Sequence, residues 1–247
     1  MDWAQKGSAT GYVIQYSTSA NMSGAASKHL TANRPDTITI SGLTADKTYY
    51  VRVRSYTNVG GKTYYGPWSD IKNIKTAKYD ITKASVSGIS TKAYTGKAIT
   101  QNITVKYNGA ALKNGTDYTT SYSNNKKIGK AIVKITGKGK YGGIITKAFT
   151  INPAKQEIQK LTSKSKAFFV DWAQKGSATG YEIQYATNSK FTNAKKVTIT
   201  NSKTDKITIS KLSGKKKYYV RVRSYTAVNG TKYYGAWSVS KSVTTKK

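Results

Sequence analysis

Residues 49–57 read Tyr-Tyr-Val-Arg-Val-Arg-Ser-Tyr-Thr, and residues 218–226 repeat these letters without a change. The match extends outward, because residues 2–77 align with residues 171–246 without an insertion or deletion. About half of the paired positions are identical, which identifies an internal repeat. The chain therefore uses one template twice, at its two ends.

The repeated stretch alternates between two kinds of side chain. Tyr49, Val51 and Val53 fall in one phase, and Arg52 and Arg54 fall in the other. A period of two is typical of a β-strand with one buried and one exposed face. The neighbouring apolar stretches are short and are separated by Gly, Asn, Asp and Ser, which predicts an antiparallel β-sandwich and not a helical fold.

The spacing of aromatic and apolar residues in each copy resembles that of a fibronectin type III domain. The matching positions are Trp3, Tyr12, Ile14, Tyr16, Leu43, Tyr49, Val51, Val53 and Trp68 in the first copy, and Trp172, Tyr181, Ile183, Tyr185, Leu212, Tyr218, Val220, Val222 and Trp237 in the second. The resemblance implies that Trp3 is the core tryptophan and that Leu43 and Tyr49 form a tyrosine corner. Such domains share a fold but no common activity, so the resemblance implies architecture more than function.

The segment between the copies matches neither of them, but it also has β-strand signals. Asn108-Gly109 and Asn114-Gly115 are residue pairs typical of hairpin turns. The run from Asn114 to Gly139 is similar to the bacterial immunoglobulin-like modules of Gram-positive surface proteins. The predicted fold is all-β, with three tandem antiparallel β-sandwich domains: a fibronectin type III-like domain at residues 1–77, a bacterial immunoglobulin-like domain at 78–153 and a fibronectin type III-like domain at 154–247. We call residues 1–77 the first repeat and residues 154–247 the second repeat.

The two repeats differ on their N-terminal sides. Before Trp172, the second repeat has strand-like stretches at residues 156–161 and 167–170, whereas only Met1 and Asp2 precede Trp3. We therefore expect the first repeat to lack its first strand and much of its second. This would leave an open edge that a strand of another chain could contact, and we expect the sequence to be part of a longer, exported protein.

The composition narrows the class of protein. The net charge is +32, and it rises along the chain from +5 in residues 1–77 (9 basic, 4 acidic) to +11 in 78–153 (13 and 2) and +16 in 154–247 (20 and 4). Such a charge attracts polyanions in a salt-dependent way. The absence of cysteine excludes a small disulfide-stapled fold. No apolar run approaches the ~20 residues of a membrane-spanning helix, so we expect no membrane span.

The sequence contains few side chains that could take part in catalysis. His29 is the only histidine, and its counterpart in the second repeat is Thr198, so we expect it in a loop or on an edge strand. The ten acidic residues are scattered, and without cysteine a metal site is not expected. We predict no catalytic residues, no metal and no cofactor, and hence no enzyme.

The outward phase of the repeated stretch, together with a later Trp-Ser pair, is the candidate ligand-binding face. Its members are Tyr50, Arg52, Arg54, Tyr56 and Trp68 in the first repeat, and Tyr219, Arg221, Arg223, Tyr225 and Trp237 in the second. They are similar to the tryptophan–arginine ladder of fibronectin-like receptor domains. One interpretation is that the ladder stiffens its own sheet; the other is that rings flanked by cations stack on sugars or bind an anionic polymer. Tyr64-Tyr65 and Tyr233-Tyr234 form a second candidate surface, with hairpin packing as the alternative.

These features lead to two functional hypotheses. The first is a non-catalytic structural and adhesive module of a secreted or cell-wall-attached Gram-positive protein, which spaces a functional domain and attracts anionic wall polymers through its lysines. The alternative is a carbohydrate-binding accessory module that stacks sugars on its Tyr/Trp/Arg face. Nucleic acid has the charge in its favour, but the sequence has no nucleic-acid-binding motif, and we do not expect this partner.

Overall fold

The computed structural model describes residues 1–31 and 36–247, and nearly all of its regular structure is β-strand. The predicted all-β fold class is confirmed. Contacts between Cα atoms divide the chain into two compact units. One comprises residues 1–84, 112–119 and 136–144, and the other comprises residues 85–111, 120–135 and 145–247. The first repeat lies in the former and the second repeat in the latter, while the domain boundaries at residues 77 and 153 stay predictions.

The first repeat forms a five-stranded antiparallel sheet. Its strands are β1 Gly11–Ser17, β2 Ala26–Leu30, β3 Thr48–Val59, β4 Lys62–Tyr65 and β5 Lys72–Lys75. The order is β2-β1-β3-β4, and β5 also pairs with β3, the strand of the repeated stretch. The inward face is apolar: Tyr12 and Ile14 are buried, with Trp3, Val51 and Val53 packed against them.

The middle segment consists of short strands and one turn of 3-10 helix. The strands are β6 Tyr79–Asp80, β7 Ser85–Ser87, β8 Lys92–Ala93, β9 Thr104–Tyr107, β10 Ala110–Ala111, β11 Tyr118–Ser123, β12 Gly129–Gly137, β13 Tyr141–Gly142 and β14 Ile144–Asn152, and the helix is Ile81–Lys83. They form sheets of order β10-β9-β7, β11-β12-β14-β8 and β13-β6. Asn108 and Gly109 both have positive φ and join β9 to β10, which confirms the predicted hairpin turn.

The second repeat contains two sheets. Its strands are β15 Ile158–Lys164, β16 Ala167–Trp172, β17 Gly180–Ala186, β18 Lys195–Ile199, β19 Lys206–Ile209, β20 Lys217–Val228, β21 Thr231–Tyr234 and β22 Lys241–Thr244. One sheet has the order β18-β17-β20-β21 with β22 also on β20, and the other has the order β15-β16-β19. Side chains from both sheets, among them Phe168, Val170, Trp172 and Val222, form one fully buried core. This is a β-sandwich.

The tyrosine corner is present in both repeats. The amide of Thr44 donates a hydrogen bond to the hydroxyl of Tyr49 (3.1 Å), and the amide of Ser213 donates to the hydroxyl of Tyr218 (3.2 Å). The corner that the sequence implied is therefore confirmed. It ties the start of β3 or β20 to the preceding loop and so fixes which face of the strand turns inward.

The first repeat has an open apolar face where the second repeat has a second sheet. Its described residues form no counterpart of β15 and β16, and the pairing of β16 with β19 is reduced to a bridge between Asp2 and Thr37. A groove of about 650 Å³ results, lined by Met1, Asp2, Trp3, Tyr16, Ile38, Thr39, Ile40, Leu43, Tyr49, Val51, Val53, Ser69, Asp70, Lys72, Asn73, Ile74 and Thr76. Val51 and Val53 are half-buried there, whereas Val220 and Val222 are fully buried.

Candidate binding site

The arginines of β3 lie on the face opposite the apolar core and interleave with aromatic rings. The guanidinium carbon of Arg52 lies 4.4 Å from the ring centre of Trp68, and that of Arg54 lies 4.3 Å from it. Arg54 also lies 3.9 Å from the ring centre of Tyr65. We call Tyr65, Arg54, Trp68 and Arg52 the first ladder, which has the stacked geometry that a planar guanidinium favours.

The second repeat builds the same arrangement with one more ring. Arg223 lies 4.0 Å from the ring centre of Tyr234 and 4.4 Å from that of Trp237. Arg221 lies 4.8 Å from the ring centre of Trp237 and 4.1 Å from that of Phe191. These five residues are the second ladder. The first repeat has Met22 at the position of Phe191.

The Trp-Ser pair holds each tryptophan over the arginines. In the first repeat, the amide of Ser69 donates to the carbonyl of Val53 (2.8 Å), and the Ser69 hydroxyl accepts from the Val53 amide (3.1 Å). Ser238 makes the same two bonds to Val222, at 2.8 and 3.0 Å. Because the amide and the hydroxyl of the serine are both bonded to the backbone of the central strand, the preceding tryptophan lies over that strand's outward side chains.

A glutamine supports one arginine of each ladder. Nε and Nη2 of Arg52 donate to Oε1 of Gln15, at 3.0 and 2.8 Å, and Nε of Arg221 donates to Oε1 of Gln184, at 2.7 Å. Burial, together with the charge of Arg223, lowers the pKa of the Arg221 guanidinium from its ordinary value. The glutamine amide is a neutral acceptor, so it orients these guanidiniums without neutralising them.

Among the described residues, a carboxylate is bonded to an arginine of the second ladder and to none of the first. Glu182 on β17 accepts from Nε and Nη2 of Arg223, at 2.9 and 2.6 Å, and lies 3.2 Å from Nζ of Lys196. Burial by itself would raise the pKa of Glu182, but the hydrogen bonds from Arg223 and Lys196 outweigh burial and lower it. The corresponding residue of β1 is Val13, which lies opposite Arg54 as Glu182 lies opposite Arg223.

The tyrosines of the predicted face do not all line it. Tyr50 and Tyr219 are half-buried, and Nζ of Lys217 lies 5.2 Å from the ring centre of Tyr219. Tyr56 and Tyr225 are buried, at 8% and 2% exposure, which corrects the expectation of exposed rings. Their hydroxyls donate to the carbonyls of Leu30 and Ile199, and their ring centroids lie 6.2 and 5.9 Å from those of Tyr65 on β4 and Tyr234 on β21. They are therefore structural and not available for stacking on a ligand.

The second candidate surface differs between the repeats. Tyr64 and Tyr65 are exposed, at 58% and 49%. Tyr233 instead packs against a buried cluster of the middle segment made of Ile99, Ile128, Ala131, Phe149 and Ile151. Tyr65 and Tyr234 are also ladder residues, so the two candidate surfaces of the first repeat are continuous.

Glu182, Gln184 and Phe191 lie outside the two surfaces predicted from the sequence, whereas Tyr65 belongs to the second of them. Glu182 and Gln184 alternate with Tyr181, Ile183 and Tyr185 along β17, and period two alone places them on the ladder side. Tyr65 lies opposite Tyr56 because Gly60 and Gly61, both with positive φ, form a two-residue turn between β3 and β4. Phe191 has no such signal, because it lies in a loop.

Most of the basic side chains have no acidic partner. Among residues 1–31 and 36–247, the ion pairs involve two carboxylates, Asp46 with Lys75 (2.9 Å) and Lys78 (3.8 Å), and Glu182 with Lys196 and Arg223. The hydrogen bond from Lys75 lowers the pKa of Asp46. Asp80 caps the 3-10 helix by accepting from Thr82, which lowers the pKa of Asp80. The lysine charge is thus left largely uncompensated at the surface.

The described residues contain no group of three or more His, Cys, Asp or Glu side chains that could hold a metal ion. His29 is exposed on β2, an edge strand, as expected. Within the same part of the chain, no helix has the length and apolar character needed to cross a bilayer.

Repeated antiparallel sheets with tyrosine corners and arginine–aromatic ladders define a tandem β-sandwich protein. The family model of the fibronectin type III domain matches residues 1–71 and 152–240. The chain belongs to the fibronectin type III family. Domains of this family are typically structural modules, and they occur commonly in extracellular proteins.

The chain is also similar to several solved structures. The FN1–FN3 domains of chicken CNTN1 share 15% identity over 100% of this chain and 91% of theirs, with a TM-score of 0.34. The fn3 domain of human contactin 1 shares 20% identity over 39% and 81%, with a TM-score of 0.33. A myokine structure shares 14% identity over 38% and 99%, with a TM-score of 0.33. No curated protein matches the chain.

Proposed function

We propose that the chain is a non-catalytic structural and adhesive module of a bacterial extracellular or cell-wall-associated protein. It spaces a functional domain of the same polypeptide and holds that domain near anionic wall polymers. The Gram-positive context rests on the resemblance of residues 114–139 to immunoglobulin-like modules of such surface proteins.

One observation carries the binding part of the proposal, namely the uncompensated basic surface. The chain has 42 Lys and Arg against 10 Asp and Glu, and two carboxylates make the ion pairs of the described residues. A β-sandwich does not need this charge to fold, because the first repeat uses the same template with +5 where the second has +16. An excess of unpaired lysine on a rigid surface attracts polyanions over a distance of about 10 Å at moderate salt.

The test is retention on purified Gram-positive cell wall at low and high salt, with an insoluble neutral polysaccharide as the second matrix. We expect retention on wall at low salt and release as salt rises, because the attraction is screened. If the chain is not retained on wall at low salt, the adhesive role is contradicted and only the role as a spacer remains. Retention on wall that persists in high salt would contradict the electrostatic mechanism.

A matched pair of variants sharpens this test. Changing four exposed lysines of the second repeat to glutamine should lower the salt concentration that elutes the chain from wall; suitable residues are Lys190, Lys195, Lys211 and Lys241. Changing the same four to arginine keeps the charge and should leave the elution point nearly unchanged. If both variants elute like the wild type, the lysines of the second repeat do not hold the polymer.

A second candidate function, binding of a neutral carbohydrate, is favoured by the exposed rings of Tyr64 and Tyr65. Aromatic faces stack on sugar rings, and this contact does not depend on net charge. Salt-resistant retention on the neutral polysaccharide that is lost in a Tyr64→Ala, Tyr65→Ala variant would establish this function. The counterpart Tyr233 is packed against the middle segment and offers no matched surface.

The open face of the first repeat supports the proposal of an edge-strand contact. In the second repeat this face is covered by β15 and β16, which place Phe168 and Val170 in the core. We infer that the occupant of the open face is a β-hairpin with the same alternating apolar pattern. A synthetic peptide of residues 154–171 is the probe: saturable protection of the β3 amides from hydrogen exchange would support the inference, and no protection at millimolar peptide would refute it.

A further inference from the structure

The two ladders differ in how their inner arginine is neutralised. In the second ladder Arg223 stacks between Tyr234 and Trp237 and binds the carboxylate of Glu182 through two nitrogens. The side chain of Glu182 is 3% exposed. Both nitrogens donate to the same oxygen, Oε2, and such charge-assisted hydrogen bonds are among the stronger polar contacts in proteins. The second ladder thus has an anion of the same chain bonded to it.

In the first ladder no described residue supplies an anion to the same arginine. Arg54 stacks between Tyr65 and Trp68 at distances close to those of the second ladder. Its Nε is buried and has no hydrogen-bond partner, and the facing residue of β1 is Val13. Among the described residues of the first repeat, Asp46 is the acid that forms ion pairs, and its partners are Lys75 and Lys78. Leaving a partly buried charged group without a partner costs free energy that an added acceptor would recover.

The surroundings of Arg54 add to the positive charge. Arg52 lies over the same indole and is bonded to the neutral Gln15. The first ladder therefore presents two guanidiniums on one tryptophan, with no carboxylate of the described residues bonded to either. In the second ladder, Glu182 compensates the corresponding pair in part.

The exposed tyrosine beside Arg54 indicates what kind of molecule would bring the anion. Tyr65 is 49% exposed, and its ring centre lies 3.9 Å from the guanidinium carbon of Arg54. An aromatic ring of this kind stacks on the face of a sugar, and an arginine beside it can bind a carboxylate of the same sugar. A peptide carboxylate would use the arginine but would have no need of the ring.

We propose that the first ladder is a binding site for the carboxylate of an acidic polysaccharide, with Arg54 taking the role toward the ligand that Arg223 has toward Glu182. This proposal rests on the proposed function, because it assigns one contact between the adhesive surface and an anionic polymer to particular residues. Arg54 and Arg52 bind the carboxylate, and the exposed part of the Tyr65 ring stacks on a sugar ring. The second ladder is closed to such a ligand by Glu182.

The test is a titration of the full chain with polygalacturonate at fixed salt, followed by the NMR signals of the Arg54 Nε–H and the Trp68 indole N–H. Val13→Glu installs the internal carboxylate of the second ladder. It should raise the apparent dissociation constant for the polymer about tenfold, the effect of losing one charge-assisted contact. Val59→Glu is the matched control, because it makes the same change at a position of the same repeat that is 62% exposed. It should change the constant by less than about twofold, as expected of a single exposed charge.

Each other outcome has a defined meaning. If Val13→Glu and Val59→Glu weaken binding equally, or if the Arg54 signal does not move when the polymer binds, the ladder site is refuted while the distributed lysine attraction of the proposed function survives. If poly-L-glutamate shifts the Arg54 signal at the same concentration as polygalacturonate, the polysaccharide assignment is refuted. Absence of any polyanion binding at low salt would refute the proposed function itself.

A charge-neutral variant covers the case in which Val13→Glu does not fold. Arg54→Lys keeps the net charge but removes the planar group that binds two oxygens at once, so it should also weaken polygalacturonate binding about tenfold. Arg223→Lys is its control in the second repeat and should leave polymer binding unchanged. Equal effects of the two variants would overturn the assignment to the first ladder.

Discussion

The two repeats share a sequence template, but the apolar face of its sheet is covered in the second repeat and open in the first. Trp172 and Trp3 occupy equivalent positions, yet Trp172 is fully buried and Trp3 is only half-buried. Val222 and Val53 differ in the same way, although both lie in identical stretches. The difference teaches that the apolar face of the central strand is not closed by its own sheet. It is closed by β15 and β16, which contribute Phe168 and Val170.

The largest expected effect comes from adding the missing cover to the first repeat. Because Asp2 aligns with Asp171, residues 154–170 can be placed directly before Asp2 in exchange for Met1. Burying the equivalents of Phe168 and Val170 should raise the free energy of unfolding of the first repeat by roughly 3–6 kcal/mol. Denaturant unfolding followed by hydrogen exchange of the β3 amides measures this change.

The control for this graft carries serine at the positions of Phe168 and Val170. Its added strands keep their length but lose the apolar side chains, so it should gain little stability. Equal stabilisation by both grafts would show that the cover acts through backbone pairing and not through core burial.

The reciprocal change opens the second repeat. Phe168→Ala removes a fully buried ring that packs edge-on against Tyr185, with ring centroids 5.7 Å apart. It should destabilise the second repeat by about 3–5 kcal/mol and leave β3 of the first repeat unchanged. Hydrogen exchange measured for individual peptides distinguishes an effect on the second repeat from an effect on β3. A loss of protection in β3 as large as that in β20 would contradict the independence of the two cores.

The ladder carboxylate should have a smaller, pH-dependent effect. Glu182→Gln removes the ion pair with Arg223 and should cost about 1–2 kcal/mol at pH 7. Because the folded state lowers the pKa of Glu182 below its ordinary value of 4.5, the contribution is complete above that pH and is lost as the pH falls through the folded value. The difference in stability between wild type and variant should therefore shrink below about pH 4.5. A difference that stays constant into acid would contradict the role of the charged form.

The smallest effect should be the same in both repeats. Tyr56→Phe and Tyr225→Phe each remove one hydroxyl that donates to a carbonyl, at 3.3 and 3.4 Å. Each variant should lose about 0.5–1 kcal/mol, because the ring stays buried and one long hydrogen bond is lost. Thermal unfolding of the two single variants gives the comparison. A large effect in one repeat alone would show that the two hydroxyls are not equivalent.

Much of the architecture could be predicted from the sequence because local patterns determine it. Period two identifies the strands of the sheet that both repeats share, and the spacing from Leu43 to Tyr49 identifies the tyrosine corner. The stacking of Arg52 and Arg54 on Trp68 follows from the outward phase of β3 and the Trp-Ser pair. These features depend on residues close together in sequence or on one strand.

The remainder depends on which strands lie beside one another. The burial of Tyr56 requires that β4 covers it, and the pairing of Glu182 with Arg223 requires the register of β17 against β20. Alternation shows that Glu182 faces outward but not which arginine lies opposite. For the same reason, the sequence alone does not show that Val13, which stands where the second repeat has Glu182, leaves Arg54 without a carboxylate. That follows only from the strand register.

The most direct test of the account moves the carboxylate from one ladder to the other. The double variant Val13→Glu, Glu182→Val keeps the net charge of +32 and the composition unchanged. We predict that polygalacturonate shifts the indole N–H signal of Trp68 in the wild type and that of Trp237 in the double variant, with similar overall affinity. If Trp68 responds in both proteins, or if neither tryptophan responds in either one, the assignment of the anion site to the ladder without a carboxylate is contradicted.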